Sequence, residues 1–198
     1  MASRFDCVAN PGPSRDAAAD VLLSGGVALV PTDTVYGLAA HPDHPDAVAR
    51  LAGMKRRDPG KPIALLASGI AAVEARTGAP LPPAARALAA RFWPGALTLV
   101  VRCADGVEEG FRVPGHPFVL DLLEACGGLL RVTSANRSGE PPAVDAPGAL
   151  EGAKLVPDIA IDGGPCAGGV ASSVVRVNAD GSLDLLRAGA IPEDDLHG

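Results

Sequence analysis

Short apolar runs separated by Gly and Pro most constrain the fold of this 198-residue chain. Such runs, bounded by turn residues, are typical of buried strands. Between them lie longer segments with apolar residues at helical spacing. This alternation predicts an α/β domain. Strands are predicted at 27–30, 62–67, 97–102, 129–132, 172–177 and 182–186, with a short extended piece at 110–114 and a further strand that ends at 160–164. Helices are predicted at 15–24, 46–56, 70–76, 83–92 and 117–126.

Composition predicts one domain with a core of small aliphatic side chains. Hydrophobic residues make up 47% of the chain, but aromatic residues only 3%. So few aromatic side chains argue against a platform that stacks single-stranded nucleic acid. Because no repeat or linker is visible, a single domain over 1–198 is predicted, with frayed ends at about 1–12 and 192–198.

The N-terminus and the cysteines favour a cytoplasmic protein without a membrane partner. The first residues lack the apolar region of a signal peptide, and no run approaches the ~20 apolar residues of a membrane span. The four cysteines are far apart and form no CxxC motif, so reduced thiols are expected. A nucleophilic Cys166 is a disfavoured alternative, since no base is evident nearby.

A basic segment, residues 54–62, stands out in a chain of net charge -6. Lys55 and Arg57 near the predicted helix end could simply complement the helix dipole. Lys61 lies beyond Gly60, where the helix no longer accounts for it. Lys and Arg match phosphate oxygens, so the segment is also a candidate polyanion site.

Polar residues follow several predicted strands, at 32–34, 133–136 and 172–173, and isolated arginines lie in similar places. In open α/β sheets ligands bind at strand ends, which makes these residues candidate contacts. The chain has no P-loop, G-x-G-x-x-G, G-x-S-x-G or H-E-x-x-H motif. Cations and hydroxyls without a protein nucleophile suit phosphoryl or nucleotidyl transfer, in which the substrates supply the nucleophile.

One alternative is a metal cluster formed by His41, Asp43, His44 and Asp46. We favour a helix start instead, because Pro45 suits a first helical position and Asp46 the positive end of a helix dipole.

Short motifs occur in order along most of the chain. They are Pro31-Thr-Asp-Thr-Val-Tyr-Gly-Leu38, Lys55-x-Arg57, Phe92-Trp-Pro-Gly-Ala-Leu-Thr98, Arg112-Val-Pro-Gly-His-Pro117, Ser134-Ala-Asn136-x-Ser138-Gly139, Ser172-Ser-Val-Val175 and Arg187-Ala-Gly-Ala-Ile191. This ordered set resembles the YrdC-like family, the L-threonylcarbamoyladenylate synthases. The resemblance implies a single domain with a twisted mixed sheet, flanking helices and an open concave ligand cavity.

The resemblance also implies a reaction. L-threonine, bicarbonate and ATP would give threonylcarbamoyl-AMP and pyrophosphate, and the product would pass to a separate transferase complex that modifies tRNA. Mg²⁺ is expected with ATP, its ligands coming mostly from the phosphates. A weak contact with RNA is compatible with this role.

The family's residue roles transfer to matching positions. Thr32 is expected to shape the strand exit, and Arg112 to grip the threonine carboxylate, a fork pairing that Lys does not reproduce. Since residues two apart face different ways on a helix, the helix should end by about Lys55, leaving Arg56 in solvent. The implied threonine ligands are Thr34, Arg112, Ser134 and Ser172, the ATP ligands are Lys55, Arg57, Lys61, Asn136 and Arg187, and the catalytic residues are Lys55 and Arg57.

The sequence departs from its relatives at a few positions. Ser173 replaces the usual Thr. Leu66 stands where some longer relatives have His, and its side chain cannot form hydrogen bonds. The chain ends soon after Arg187, so the extra C-terminal domain of longer relatives is not expected.

Two alternative functions remain open. One is another carbamoyl-adenylate-forming enzyme, like the module in hydrogenase maturation factors. The other is a non-catalytic RNA-binding module, which the net charge of -6 and the scarcity of aromatics disfavour.

Overall fold

The computed structural model describes residues 2–55, 62–136, 139–152 and 156–196. These residues form a mixed sheet in the order β1-β8-β2-β3-β7-β4-β6-β5-β9-β10. The pairs β1/β8, β2/β8, β4/β6 and β5/β9 are parallel. The strands are β1 (Ser3–Asp6), β2 (Val27–Val30), β3 (Gly37–Ala40), β4 (Leu65–Ala67), β5 (Leu97–Arg102), β6 (Glu108–Arg112), β7 (Leu129–Ser134), β8 (Ile159–Asp162), β9 (Ser173–Val177) and β10 (Leu183–Arg187).

Helices flank this sheet, which confirms the predicted α/β fold. Pro is the first residue of four of them, a position where its fixed φ is favourable and its missing N–H is not needed. A short π-helical segment covers residues 148–152. The α-helices are α1 (Pro11–Leu23), α2 (Pro45–Lys55), α3 (Ile70–Thr77), α4 (Pro83–Phe92), α5 (Pro117–Ala125) and α6 (Glu193–Leu196).

Both faces of the β2 half of the sheet are covered. Successive side chains of a strand point to opposite faces. Ala28 and Val30 accordingly pack in the cluster that includes α1 and α5, whereas Val27 and Leu29 pack in the cluster that includes α2. A strand buried on both faces needs an uninterrupted apolar run, and this explains the sequence of β2.

The β5 half of the sheet has a different arrangement. Leu97, Leu99 and Val101 pack against α3 and α4, but the intervening residues Thr98 and Val100 line a cavity. The alternation along one strand thus separates a packed face from a face that can receive a ligand.

Two strands were not predicted. β1 is short and mostly exposed, and it pairs with β8, which lies more than 150 residues away. β3 consists of Gly, Leu and two Ala, which have weak strand propensity apart from Leu, yet all four residues are buried. β1 depends on pairing with the distant β8, whereas β3 pairs with the neighbouring β2 and with the distant β7. The local sequence gives little indication of the distant partners.

Regular structure extends into both ends that were predicted to fray. β1 and the start of α1 fall within 1–12, and α6 falls within 192–198, with Leu196 buried. Fraying of these ends stays a prediction. None of the helices in the described part of the chain has the length and apolar character needed to cross a membrane.

Asp158 joins β2 to α2, and we expect Asp158→Asn to destabilise the fold by about 1 kcal/mol at pH 7. Its carboxylate accepts hydrogen bonds from Arg50 at 3.0 Å on both oxygens and from the Val27 N–H at 2.7 Å. The Arg50 bonds hold the pKa of Asp158 below its usual 3.8. The stabilisation is therefore complete above that pH and is lost as the pH falls through the lower folded-state value.

Urea unfolding of both proteins at pH 7 and pH 3 measures this difference. Asp16→Asn, at the exposed Arg15–Asp16 pair, is the matched control and should change little. A destabilisation of equal size at both pH values contradicts the prediction.

Candidate active site

A cavity of about 680 Å³ opens on the sheet face opposite α3 and α4. Its floor comes from strands on both sides of β4 and its rim from the loops that follow them. Hydroxyls and cations are concentrated along this lining. The polar and charged lining residues are Thr32, Thr34, Tyr36, Thr98, Glu108, Arg112, Thr133, Ser134, Ser172, Arg176 and Arg187.

The structure brings most of the predicted site residues to this one cavity. Lys55 and Asn136 bond to each other beside the lining residue Ser134. Arg57 and Lys61 lie outside the described residues, as does Arg56. The predicted residues that line the cavity directly are Thr32, Thr34, Arg112, Ser134, Ser172 and Arg187.

Arg112 forms one end of the site. Arg112 is only 6% exposed, and three groups of the described residues accept hydrogen bonds from its guanidinium. Nε donates to the Gly95 carbonyl at 2.8 Å, Nη1 to Thr34 Oγ1 at 2.9 Å and Nη2 to Asp33 Oδ1 at 2.5 Å. Burial lowers the pKa of Arg112, an effect that Asp33 opposes. The acceptors hold the guanidinium in a fixed orientation, and an arginine side chain in a protein remains charged.

Thr32 fixes the loop that carries the acceptors for Arg112. Its Oγ1 accepts from the backbone N–H groups of Thr34 and Val35, both at 3.2 Å, and donates to the Val35 carbonyl at 2.6 Å. By bonding the backbone N–H and C=O groups of its own loop, this hydroxyl takes the place of backbone–backbone hydrogen bonds. The expectation that Thr32 shapes the strand exit agrees with these contacts.

Lys55 forms a second cluster, at the last described residue of α2. Its Nζ donates to the Ser134 carbonyl, to Ser134 Oγ at 2.9 Å and to Asn136 Oδ1 at 2.7 Å. Lys55 is 4% exposed, so its ammonium charge is held within the protein. Asn136 in turn donates to the Glu140 carbonyl at 2.5 Å. The Ser-x-Asn motif thus aims two side-chain oxygens at one buried cation.

The end of the helix at Lys55 stays a prediction, because residues 56–61 are outside the described part of the chain.

Arg187 and Ser172 form a third cluster. Arg187 donates through Nη2 and Nε to the Ser172 carbonyl, at 2.7 and 3.1 Å, and through Nη2 to Ser172 Oγ at 3.1 Å. Ser172 Oγ also bonds Thr98 Oγ1 at 2.8 Å. A register shift in the β9/β10 pair precedes Arg187 and turns its side chain toward this group.

Close backbone packing holds Arg187 in place, and we expect Gly189→Ala to destabilise the protein by about 1–3 kcal/mol. A Cβ at Gly189 would lie 2.4 Å from both Ser172 C and Ser173 N, which are backbone atoms that cannot move aside alone. Thermal unfolding measures the effect. Gly12→Ala is the control, because nothing lies within 4 Å of its added Cβ. Equal stability of the two variants contradicts the prediction.

Sequence reasoning missed several lining residues. Thr98, Val174 and Arg176 were placed in strands but given no role in the site. The signal was available in the period-two alternation, because residues that alternate with core positions must face the cavity. Asp33 lay inside a recognised motif and was also given no role. Its pairing with Arg112 is 79 residues distant, and local sequence does not predict it.

Leu66 and Ser173 have roles that suit their side chains. Leu66 lines the cavity and offers it an apolar surface. Ser173 faces away from the cavity, where its Oγ donates to the Ile191 carbonyl at 2.7 Å and accepts from the Ile191 N–H at 3.0 Å. The Ser-for-Thr difference therefore preserves a structural hydrogen bond.

The disfavoured metal and nucleophile alternatives find no support. His41 and His44 each direct Nε2 at a backbone carbonyl, and no group of three metal-ligating residues occurs among the described ones. Burial raises the pKa of Cys166 and raises that of Cys126 to about 11, which disfavours their thiolates. The cysteines in the described part of the chain are all free thiols.

A mixed sheet with buried cations and hydroxyls around an open cavity defines an α/β domain whose cavity is suited to anionic ligands. More particularly, the chain belongs to the Sua5/YciO/YrdC family, because the model for that family, described as "Telomere recombination", matches residues 20–189. This match confirms the resemblance that the sequence motifs carried.

Individual relatives agree with this assignment. The chain is 35% identical to the threonylcarbamoyl-AMP synthase of Bacillus subtilis, over 93% of this chain and 56% of that protein. It is 42% identical to the enzyme of that name from Alkalilimnicola ehrlichii, over 63% of this chain and 69% of that one. The crystal structure of P. abyssi Sua5 complexed with L-threonine matches with a TM-score of 0.86 and 29% identity, over 100% of this chain and 60% of that one. The chain thus spans just over half the length of the first and the third.

Proposed function

We propose that this chain is an L-threonylcarbamoyladenylate synthase. The observation that carries the proposal is one cavity that places the Arg112–Thr34 cluster, the Lys55–Ser134–Asn136 cluster and the Arg187–Ser172 cluster around a common space. Relatives named as this enzyme, and a related structure with L-threonine bound, support the choice of substrate.

In the proposed reaction the substrates supply the nucleophile. The threonine amine adds to the carbon of bicarbonate and water leaves, which gives a carbamate. A carbamate oxygen attacks the α-phosphorus of ATP as the bond to the β-phosphate oxygen breaks. Pyrophosphate leaves and threonylcarbamoyl-AMP remains. The protein is required to orient the reactants, to stabilise negative charge at the α-phosphate and to keep water away.

Arg112 and Thr34 suit the threonine end of the site. A guanidinium matches a carboxylate through two parallel N–H donors. Thr34 and Ser172 add hydroxyls for the polar groups of threonine. Ser134 lines the same cavity and bonds Lys55 of the second cluster.

Lys55 suits the triphosphate end. Its ammonium is already desolvated, so it interacts with phosphate oxygens more strongly than a lysine in bulk water. Asn136 and Arg187 complete this end, and the sequence adds Arg57 and Lys61 as further phosphate contacts. Lys55 and Arg57 are the residues we propose to stabilise charge developed during nucleotidyl transfer.

Mg²⁺ would enter with ATP. The carboxylate among the lining residues belongs to Glu108, which pairs with Arg176 at 3.3 Å, so the described lining offers no carboxylate cage. The ATP phosphates are the expected ligands. We further propose a cytoplasmic role in supplying the intermediate to a tRNA-modifying transferase complex, with at most a weak RNA contact.

Pyrophosphate release from ATP tests the proposal, with L-threonine and bicarbonate each omitted in turn. We expect release only when both are present. Turnover that persists without threonine contradicts the proposal, and stimulation by carbamoyl phosphate favours another carbamoyl-adenylate enzyme. Salt-dependent RNA binding without nucleotide turnover favours the non-catalytic alternative.

A further inference from the structure

Asp33 is not among the residues that line the cavity, but its carboxylate contacts the lining residue Arg112, and its role is unassigned. Its Oδ1 lies 2.5 Å from Arg112 Nη2, and its side chain is 18% exposed, against 7% for that of Arg112. The pair therefore places an anion and a cation together at the proposed threonine end of the site.

The position of Asp33 is fixed by its surroundings. A Cβ at Gly168 would come within 2.7 Å of the Asp33 carbonyl oxygen, so this backbone lies directly against Gly168. A Cβ at Gly115 would lie 3.4 Å from Asp33 Oδ2, which leaves room for the carboxylate. Gly169 N–H also donates to the Thr34 carbonyl at 2.8 Å. The backbone at Asp33 and Thr34 is thus held by Gly168 and Gly169, and the carboxylate itself is held by Arg112.

Asp33 and Thr34 also determine which Arg112 donors remain. A guanidinium has five N–H groups, with one on Nε and two on each terminal nitrogen. One on Nε, one on Nη1 and one on Nη2 bond to described protein atoms. Among the described residues, this leaves one N–H on each terminal nitrogen, the number that a bidentate carboxylate requires.

The charge balance of the pair has a further consequence. Burial lowers the pKa of the His116 imidazole, an effect that the charge of Asp33 opposes, so burial disfavours a second cation beside Arg112. Arg112 and Asp33 then sum to zero charge. A simple carboxylate anion entering the site would meet one cation and one anion. A zwitterionic amino acid brings an ammonium that offsets Asp33 and a carboxylate that pairs with Arg112.

We propose that Asp33 is a positioning residue that makes the Arg112 site select zwitterionic amino acids over carboxylate anions lacking the amino group. The inference rests on the proposed function, since it assumes that Arg112 receives the carboxylate of threonine. It adds a specificity for the amino group, to which Asp33 contributes through its charge and through the orientation of Arg112.

Calorimetric titration of the wild-type chain with L-threonine and with 3-hydroxybutyrate, its deaminated analogue, tests the proposal. We expect wild type to bind threonine at least about tenfold more tightly, and Asp33→Asn to reduce this ratio about tenfold. Asp33→Glu keeps the charge and should keep most of the ratio. Asp16→Asn is the matched control at an exposed ion pair, and should leave the ratio unchanged.

The outcomes separate this inference from the proposed function. Wild-type protein that binds both compounds equally overturns the inference without any variant, as does an unchanged ratio in Asp33→Asn. In either case threonine-dependent pyrophosphate release would leave the proposed function standing. Wild-type protein that neither binds threonine nor needs it for turnover overturns the proposed function and the inference together.

Discussion

Lys55→Met is expected to reduce the rate of threonine-dependent pyrophosphate release about 100- to 1000-fold at saturating substrates, the usual loss when one group that stabilises transition-state charge is removed. Methionine keeps an unbranched side chain of similar length but has no charge. Lys55 is 4% exposed and its ammonium is bonded to Ser134 and Asn136, so its charge acts in a poorly solvated place. Steady-state kinetics with purified protein measures the loss.

A structural effect of the same change must be separated from the chemical one. Removing the ammonium leaves the Ser134 carbonyl and Asn136 Oδ1 without this donor, which costs about 1–3 kcal/mol in a buried setting. Thermal unfolding of the variant shows whether it is folded at the assay temperature. Arg50→Met removes an exposed cation from the same helix and should leave the rate nearly unchanged. A folded Lys55→Met protein with near-normal turnover would eliminate Lys55 as a catalytic residue.

Several parts of the candidate site could be predicted from sequence because their signals are local. The polar residues at 32–34 and 133–136 follow apolar runs, and each run forms the strand that was expected of it. The sequence alone does not show that the residues following β2 lie beside those at the end of β7. They do so because β3 lies between β2 and β7, with Gly37 opposite Ser134.

Contacts between distant residues account for most of what was missed. Asp33 and Arg112 are individually ordinary, and only the fold turns them into a buried ion pair. Arg176 could have been placed in the cavity by counting alternate positions from buried Val175 and Val177, so that omission was avoidable. The strand β1 could not, because its partner β8 is near the other end of the chain and its own burial is slight.

The fold and the cavity alone do not identify one reaction. The described cavity contains cations, hydroxyls and an apolar floor, an arrangement that suits several nucleotide-dependent reactions. The proposed preference for threonine depends on a few groups at the Arg112 end. A change confined to that end therefore tests substrate choice more directly than any measurement of overall stability.

Arg112→Lys is expected to raise the KM for L-threonine about 100-fold while leaving the KM for ATP within about threefold. Lysine keeps the charge but presents one ammonium in place of a planar fork. The loss of two charge-assisted hydrogen bonds to the threonine carboxylate, each worth about 1.5 kcal/mol, corresponds to about a 100-fold weaker interaction. Initial rates measured against each substrate at saturation of the other give both constants.

The surroundings of Arg112 sharpen this expectation. Among the described residues its acceptors are Gly95, Thr34 and Asp33, and their arrangement fits a guanidinium. A shorter ammonium can retain Asp33 only by withdrawing from the ligand, because Asp33 lies in a fixed position. Arg102→Lys, at an exposed end of β5, is the matched control and should change neither constant. Equal increases in both constants would show that Arg112 supports the cavity as a whole, whereas an effect on threonine alone places the substrate carboxylate at its two remaining N–H donors.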